Sequence, residues 1–297
     1  MKIKKAALVL ATLGFVAASA HAQDAGTLKK IKDTGVIALG HRESSIPFSY
    51  YDDKQNVVGY SQDFAMKIVE AVKQKLNMPN LKVKMVPITS QNRIPLVQNG
   101  TIDIECGSTT NNAERQQQAA FTDTIFVIGT RLMTKKDSGI KDFADLKGKT
   151  VVTTAGTTSE RLLRKMNQDK SMGMNIISAK DHGESFMTLS TGRAVAFMMD
   201  DALLAGERAK SNNPGDFVIV GTPQSREAYG CMLRKNDPEF KKVADEAIAK
   251  VETSGEADKI YKKWFESPIP PKGLNLNFPE SEDMKALFKS PNDKAID

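Results

Sequence analysis

Residues 102–115 read I-D-I-E-C-G-S-T-T-N-N-A-E-R, and this stretch does most to decide the fold. A short apolar run leads into a hydroxyl-rich turn, and Glu114 and Arg115 then stand where we predict a helix to start. A strand, a turn and a helix N-terminus gather unpaired N–H groups, hydroxyls and a guanidinium, which suits a small anion. The alternative is that Thr110 or Asn111 only caps the helix and Arg115 is a solvated surface charge.

Apolar runs of strand length alternate with helical patterns on both sides of this stretch. Such alternation predicts an α/β fold with mostly parallel sheets. Two long extended runs, one before Lys135 and one before Lys235, are predicted to be crossover strands between two lobes. The first predicted lobe is therefore discontinuous, comprising residues 23–127 and 229–297, and the second lobe comprises residues 128–228.

The first 22 residues are expected to be an export signal that is cleaved after Ala22. A lysine-rich start precedes an apolar run too short to span a bilayer, and A-H-A at 20–22 fits a small-x-small cleavage pattern. We therefore expect an exported chain, which is periplasmic if the source is Gram-negative. Without the three lysines of this segment the formal charge falls from +6 to +3, and no basic arm or aromatic–basic stripe indicates nucleic acid.

The two cysteines, Cys106 and Cys231, lie far apart and form no C-x-x-C pair. In an exported protein they are expected to form a disulfide, although two buried thiols on neighbouring strands would fit the sequence as well. Only His41 and His182 follow residue 22, without an H-x-x-x-H motif or a cysteine cluster. We therefore expect neither a metal site nor a cofactor.

Charged and hydroxyl side chains recur where predicted strands end and helices begin. Arg93, for example, falls in the first turn of a predicted helix, where a cation opposes the helix dipole, and a local rule broken at a strand end favours function. Either Asp200 or Asp201 is expected to cap the next helix. Taken singly, each such residue is more simply a cap, a solvated charge or, for His182, a loop histidine. The candidates that share this position are Arg42, Ser90, Arg93, Ser108, Thr110, Arg115, Thr158, His182 and Asp200.

These motifs together resemble the extracytoplasmic solute-binding proteins that deliver amino acids to ABC importers. The resemblance rests on segments such as G-H-R-E-S-S-I-P-F-S-Y-Y at 40–51, G-T-T-S-E at 156–160 and F-M-M-D-D at 197–201, and it spans essentially the whole chain after residue 22. It implies a two-lobed periplasmic-binding-protein fold of type II with a hinge of two crossover strands. It also implies a monomer that serves membrane permease subunits and catalyses no reaction; the alternative is a dehydratase-type enzyme on the same fold.

The resemblance further implies a role for each candidate at an amino-acid ligand. The group for the α-carboxylate is Arg115, Thr110 and Thr158. The pair for the α-ammonium is Asp200 and Ser108. The group for a side-chain carboxylate is Arg42, Ser90, Arg93 and His182.

Charge counting favours an acidic ligand. The expected cleft holds three arginines and one aspartate, a formal charge of +2, to which His182 could add by protonation. If Arg115 takes one carboxylate and Asp200 the ammonium, Arg42 and Arg93 remain for a second carboxylate. Glutamine would leave both guanidiniums poorly paired, at a cost of about 3 kcal/mol or more, equivalent to roughly a hundredfold in dissociation constant. We therefore expect L-glutamate or L-aspartate, without a prediction of which is preferred.

Overall fold

Two five-stranded sheets organise residues 26–297, the part of the chain that this computed structural model describes. The expected cleavage after Ala22 lies outside the described residues. The chain passes from the first sheet to the second and back again, and helices pack on each sheet, so that the α/β fold has two lobes.

The first sheet combines strands from both ends of the chain. In spatial order its strands are Lys82–Pro87, Val36–His41, Ile104–Glu105, Glu227–Leu233 and Ala120–Ile128. A smaller sheet, which the sequence did not predict, consists of Ser44–Ser45, Ser49–Tyr51 and Val57–Val58. The helices on this side are Thr27–Thr34, Tyr60–Leu76, Arg93–Gln98, Ala113–Gln116, Pro238–Thr253 and Glu256–Phe265. The C-terminal tail adds the strand pair Pro268–Ile269 and Leu274–Asn275 and the helix Glu282–Lys289.

The second sheet is formed by the intervening part of the chain. In spatial order its strands are Asn175–Ala179, Thr150–Thr154, Ala196–Asp200, Thr130–Lys135 and Phe217–Val220. Its α-helices are Thr158–Asp169, His182–Ser190 and Asp201–Lys210. Two 3₁₀ turns complete it, Phe143–Leu146 and Pro214–Asp216.

The prediction of mostly parallel sheets is wrong, because each sheet has two parallel and two antiparallel strand pairs. In these two five-stranded sheets, every antiparallel pair involves either Glu227–Leu233 or Thr130–Lys135. Parallel neighbours require a crossover connection, usually a helix, between the strands. These two strands instead enter their sheets directly from the other lobe. Thr130–Lys135 does so after Gly129, and Glu227–Leu233 does so after residues 221–226. Each therefore runs opposite to its neighbours in the sheet.

The core of the first lobe is built on the helix Tyr60–Leu76. Its apolar residues Phe64, Ile68, Val69 and Val72 fall on one face and are fully buried. This helix packs against Pro238–Thr253 from the other end of the chain, so that the N-terminal and C-terminal parts of the lobe share one core.

A disulfide joins Cys106, just after the strand Ile104–Glu105, to Cys231 on the neighbouring strand. Of the two arrangements that the sequence left open, the structure therefore has the bridge rather than two thiols. Within residues 26–297, no helix combines the length and the apolar character needed to cross a bilayer.

Candidate functional site

The nine predicted site residues lie at the strand ends and helix starts that border the cleft between the lobes. Arg42 directly follows a strand of the first sheet, and Asp200 ends a strand of the second sheet. Thr158 and His182 are each the first residue of a helix. All except Thr158, which is half-buried, are buried. The structure therefore brings the predicted residues to one region, as the strand-end pattern suggests.

The two lobes contact each other across this cleft. Ser44 Oγ of the first lobe donates a hydrogen bond to Asp181 Oδ1 of the second over 3.2 Å. Arg115 Nη2 donates to Gly156 O over 3.4 Å. Gly156 has a φ of +78°, and a Cβ there would lie 2.8 Å from the backbone nitrogen of Gln91. The turn at this position therefore requires glycine for both its conformation and its close approach to the first lobe.

One side of the cleft carries buried polar atoms without a hydrogen-bond partner among the described residues. They include Arg42 Nη1 and Nη2, Arg93 Nε and Ser90 Oγ. Arg42 is 1% exposed, and burial together with the nearby positive charge of Arg93 lowers its pKa to about 10. The guanidinium of Arg42 therefore keeps its charge at neutral pH. Because an unpaired buried cation is costly, these donors suit a negatively charged ligand.

Arg93 is linked through Thr109 to a buried acid, Glu105, that the sequence analysis did not select. Its Nη1 donates to Ser108 O over 3.1 Å and to Thr109 Oγ1 over 2.6 Å. Thr109 Oγ1 in turn donates to Glu105 Oε2 over 2.6 Å. Glu105 is 0% exposed, and it attracts both Arg93 and Arg42. An acidic residue at the end of an otherwise apolar strand was the signal that could have revealed it.

A second acid that the sequence analysis missed, Glu227, connects the two lobes. Its Oε2 accepts hydrogen bonds from Thr110 of the first lobe and from Thr158 of the second, the latter over 2.7 Å. Its Oε1 accepts from Ser225 over 3.0 Å. Glu227 is 4% exposed and lies at the start of the strand that returns to the first lobe. One carboxylate thus joins both lobes and the passage between them.

This geometry refines what two of the candidates can offer a ligand. A hydroxyl has one proton and two lone pairs, and the protons of Thr110 and Thr158 are given to Glu227. Their remaining lone pairs can accept from an ammonium. A carboxylate near them must instead rely on Arg115 and on backbone N–H groups at the helix start.

The predicted cleft charge of +2 is wrong. Glu105 and Glu227 add two carboxylates to the three arginines and Asp200, and together these six groups have a formal charge of zero. The sequence count passed over Glu105, the last residue of its strand, and Glu227, the first residue of another. Both acids accept hydroxyl hydrogen bonds, while Arg42 Nη1 and Nη2 have no hydrogen-bond partner in the part of the chain that the structure describes. The case for an acidic ligand therefore rests on local geometry and no longer on net charge.

Arg115 is buried and is not the solvated surface charge that the sequence left open. It lies on the single helical turn Ala113–Gln116, which neither Thr110 nor Asn111 caps. Asn112 caps it, since its Oδ1 accepts from Arg115 N over 2.9 Å. The guanidinium donates to Thr110 O over 2.9 Å, and burial, with the charge of Arg93, lowers its pKa to about 9.

Asp200 does not cap its helix. It occupies the N-cap position of Asp201–Lys210, but its side chain makes no capping hydrogen bond. Its Oδ1 instead accepts from Thr130 over 2.8 Å and its Oδ2 accepts from Tyr229. Burial, followed by the repulsion of Glu227, raises the pKa of Asp200 to about 8. An ammonium group beside this carboxyl would favour its ionised form.

His182 is tied to a chain of hydroxyls. Its Nδ1 lies 2.8 Å from Thr154 Oγ1, which lies 2.8 Å from Ser185 Oγ, and Ser185 donates to Asp181 O over 2.9 Å. Because the proton of Ser185 is used on that carbonyl, Thr154 donates to Ser185 and accepts from His182 Nδ1–H. Nε2 of the neutral ring is then a bare acceptor. The pKa of His182 lies well below its usual value, mainly because the ring is buried and also because the positive charges of Arg42 and Arg93 disfavour its protonation.

The arrangement has the chemistry of a binding cleft for a small zwitterion with an additional anionic group. Guanidiniums lie on one side, and a carboxyl with a hydroxyl-rich surround lies on the other. Among residues 26–297, no group of three or more His, Cys, Asp or Glu side chains is placed to hold a metal ion.

The fold and this cleft define the class of the protein. The chain belongs to the bacterial extracellular solute-binding proteins, family 3, whose sequence model matches residues 37–267. A relative from Salmonella typhimurium (strain LT2), named glutamate/aspartate import solute-binding protein, is 67% identical over 100% of both chains. A relative from Pseudomonas aeruginosa (strain PAO1), named L-glutamate/L-aspartate-binding protein, is 67% identical over 92% of this chain and 90% of that protein. Among solved structures, an ancestral arginine-binding protein bound to arginine matches with a TM-score of 0.70 and 32% identity, over 78% of this chain and 98% of that one.

Proposed function

We propose that this chain binds L-glutamate and L-aspartate and delivers them to the permease subunits of an ABC importer. Two relatives that are 67% identical over nearly the whole chain carry names for this binding function. The structural observation that carries the proposal is that the buried terminal nitrogens of Arg42, like Arg93 Nε and Ser90 Oγ, have no hydrogen-bond partner among the described residues. A side-chain carboxylate would satisfy these donors, because a guanidinium binds a carboxylate through two parallel hydrogen bonds.

Each charged group of the ligand has a complementary region in the cleft. The α-carboxylate is assigned to Arg115 and to the backbone at the start of the helix Thr158–Asp169. The α-ammonium is assigned to Asp200, Ser108 and the free lone pairs of Thr110 and Thr158. The side-chain carboxylate is assigned to Arg42, Ser90, Arg93 and His182.

The same regions explain how other amino acids are rejected. Glutamine presents an amide in place of the second carboxylate, and its NH₂ group would face guanidinium donors. Arginine presents a cation, which Arg42 and Arg93 would repel. A buried charge left without its partner costs about 3 kcal/mol or more, so we expect discrimination of roughly a hundredfold or greater.

Binding is accompanied by closure of two lobes in this proposal. The first lobe comprises residues 23–127 and 229–297, the second comprises residues 128–228, and the passages between the sheets act as the hinge. The chain works as an exported monomer, in the periplasm of a Gram-negative cell. A dehydratase-type enzyme on this fold is not favoured, because both relatives are named as binding proteins.

Isothermal titration calorimetry of residues 23–297 with glutamate, aspartate, glutamine and asparagine tests the proposal. We expect both acidic amino acids to bind roughly a hundredfold more tightly than either amide. Arg42→Met should weaken glutamate binding by a similar factor and glutamine binding far less. Arg164→Met is the matched control, because Arg164 is an exposed arginine paired with Glu160, and it should change neither affinity. Comparable affinity of the unmodified protein for glutamine and glutamate would overturn the assignment.

A further inference from the structure

The last six residues of the chain, 292–297, run along the segment that carries Arg115. We call these residues the C-terminal strap. Ile296 N donates to Asn111 O over 3.3 Å, and Asn111 Nδ2 donates to Asp293 O over 2.9 Å. Ala113 N has no acceptor within the helical turn, because it lies at the start of that turn, and it donates to Asp297 Oδ1 over 2.9 Å. The strap therefore satisfies backbone and side-chain groups on both sides of Asn112, the residue that caps this turn.

The strap is itself anchored to the first lobe. Thr124 N, on the edge strand of the first sheet, donates to Asn292 O over 2.8 Å. Lys241, on the helix Pro238–Thr253, forms an ion pair with Asp293 over 2.9 Å. The preceding helix, Glu282–Lys289, buries Met284, Leu287 and Phe288. These contacts hold the strap against the lobe core, so that it can act as a fixed support.

On its opposite side, the Arg115 segment is held by the returning strand. Asn111 N donates to Ala228 O over 2.7 Å, and Gly230 N donates to Thr109 O over 3.1 Å. The turn Ala113–Gln116 has only four residues, and a helix of this length is unstable without tertiary contacts. The direction of the Arg115 side chain therefore depends on the two supports between which the segment lies.

The strap also lies outside the residues that the family model matches. The family model ends at residue 267, and the arginine-binding structure covers 78% of this chain. We propose that the C-terminal strap is a positioning element for Arg115, and that it thereby contributes to affinity for the α-carboxylate of the ligand. The proposal rests on the function proposed above, in which Arg115 binds that carboxylate.

Truncation after Pro291 tests this proposal, with a shorter truncation after Lys294 as a milder variant that keeps the Asp293 contacts. We expect glutamate to bind the first variant about tenfold more weakly, the equivalent of roughly one hydrogen bond, and the second variant by less. Lys294→Ala is the matched control, because Lys294 lies in the strap with an exposed side chain, and it should bind as the full chain does.

A double-mutant cycle separates positioning from a general loss of stability. In an Arg115→Lys background, the truncation should lower glutamate affinity by less than about twofold, because the guanidinium that the strap positions is already absent. Combined with Arg42→Lys, it should still cost about tenfold. Equal losses in both backgrounds, or unchanged affinity in both truncated variants, would overturn the strap proposal. Failure of the full chain to bind glutamate would overturn the proposed function. The two results above would overturn the strap proposal alone, because in them the full chain still binds glutamate.

Discussion

Replacing Glu227 with glutamine should weaken glutamate binding by disturbing the contact between the lobes. Glutamine keeps the size of the side chain, but it removes the charge and leaves one oxygen where the carboxylate has two. In the structure, Oε2 accepts from Thr110 of the first lobe and from Thr158 of the second. The amide oxygen can still accept from both hydroxyls in the position of Oε2, but both interlobe hydrogen bonds are weaker because their acceptor is no longer charged.

The size of the effect follows from the kind of hydrogen bond. A hydrogen bond to a charged group contributes about 1.5–3 kcal/mol, which corresponds to roughly tenfold to a hundredfold in affinity if it exists only when the lobes are together. An opposing effect comes from Asp200, since Glu227 helps to raise its pKa to about 8. Without that charge Asp200 ionises more easily and attracts the ammonium of the ligand. We therefore expect the loss to lie near the lower value, about tenfold.

Calorimetry gives the affinity, and small-angle X-ray scattering with saturating glutamate gives the degree of lobe closure. Ser225→Ala is the control, because Ser225 bonds the other oxygen of Glu227 over 3.0 Å without crossing between the lobes. It should change the affinity by less than about threefold. A folded Glu227→Gln protein with unchanged affinity and unchanged scattering would refute a linking role for Glu227.

Three further predictions concern pH and the disulfide. Burial raises the pKa of Glu252 from 4.5 to about 9, so between these pH values the folded protein keeps a proton on Glu252 that the unfolded chain loses. The unfolding free energy therefore falls as pH rises through this range. Glu252→Gln should raise it more at pH 8 than at pH 5, by up to several kcal/mol, in urea titrations. An equal gain at both pH values would contradict this. Reducing the Cys106–Cys231 disulfide should lower that free energy by about 2–5 kcal/mol, and Cys231→Ala should make it insensitive to reductant. Glutamate binding should release a proton from Asp200 and add one to His182 Nε2. Calorimetry in buffers of different ionisation enthalpy should therefore show that His182→Gln releases more protons on binding glutamate than the unmodified protein does. Equal numbers of released protons for the two proteins would exclude this exchange.

Much of the fold could be predicted from the sequence where an element is long and has clear boundaries. The helix Pro238–Thr253 has aspartate and proline at its start, a combination that marks the beginning of a helix in the sequence. The strand Phe217–Val220 follows a proline-glycine turn, which marks its start in the sequence. The small sheet at residues 44–58 was missed, because strands of two or three residues are too short to show an alternating pattern.

The candidate site could be predicted in part, for a different reason. Side chains that follow strands of one sheet meet at one edge, so the position of Arg42 or Asp200 has a local signal. Their individual roles came from the family resemblance. Glu227 was missed because its partners Thr110 and Thr158 lie far away in the sequence and only the fold brings them together. Glu105 was passed over although it ends a strand and its partner Thr109 lies only four residues away. The contacts of the C-terminal strap involve mainly backbone groups, which leave no pattern in the sequence.

A crystal structure of the protein with bound L-glutamate tests the central claim most directly. The claim is that Arg42 Nη1 and Nη2, which have no hydrogen-bond partner within residues 26–297, receive the side-chain carboxylate. We expect that carboxylate within hydrogen-bond distance of Arg42 Nη1 or Nη2 and of Arg93 Nε, with the α-carboxylate at Arg115 and the ammonium at Asp200. A glutamate whose side chain points away from Arg42, with that guanidinium turned onto Glu105 instead, would contradict the claim.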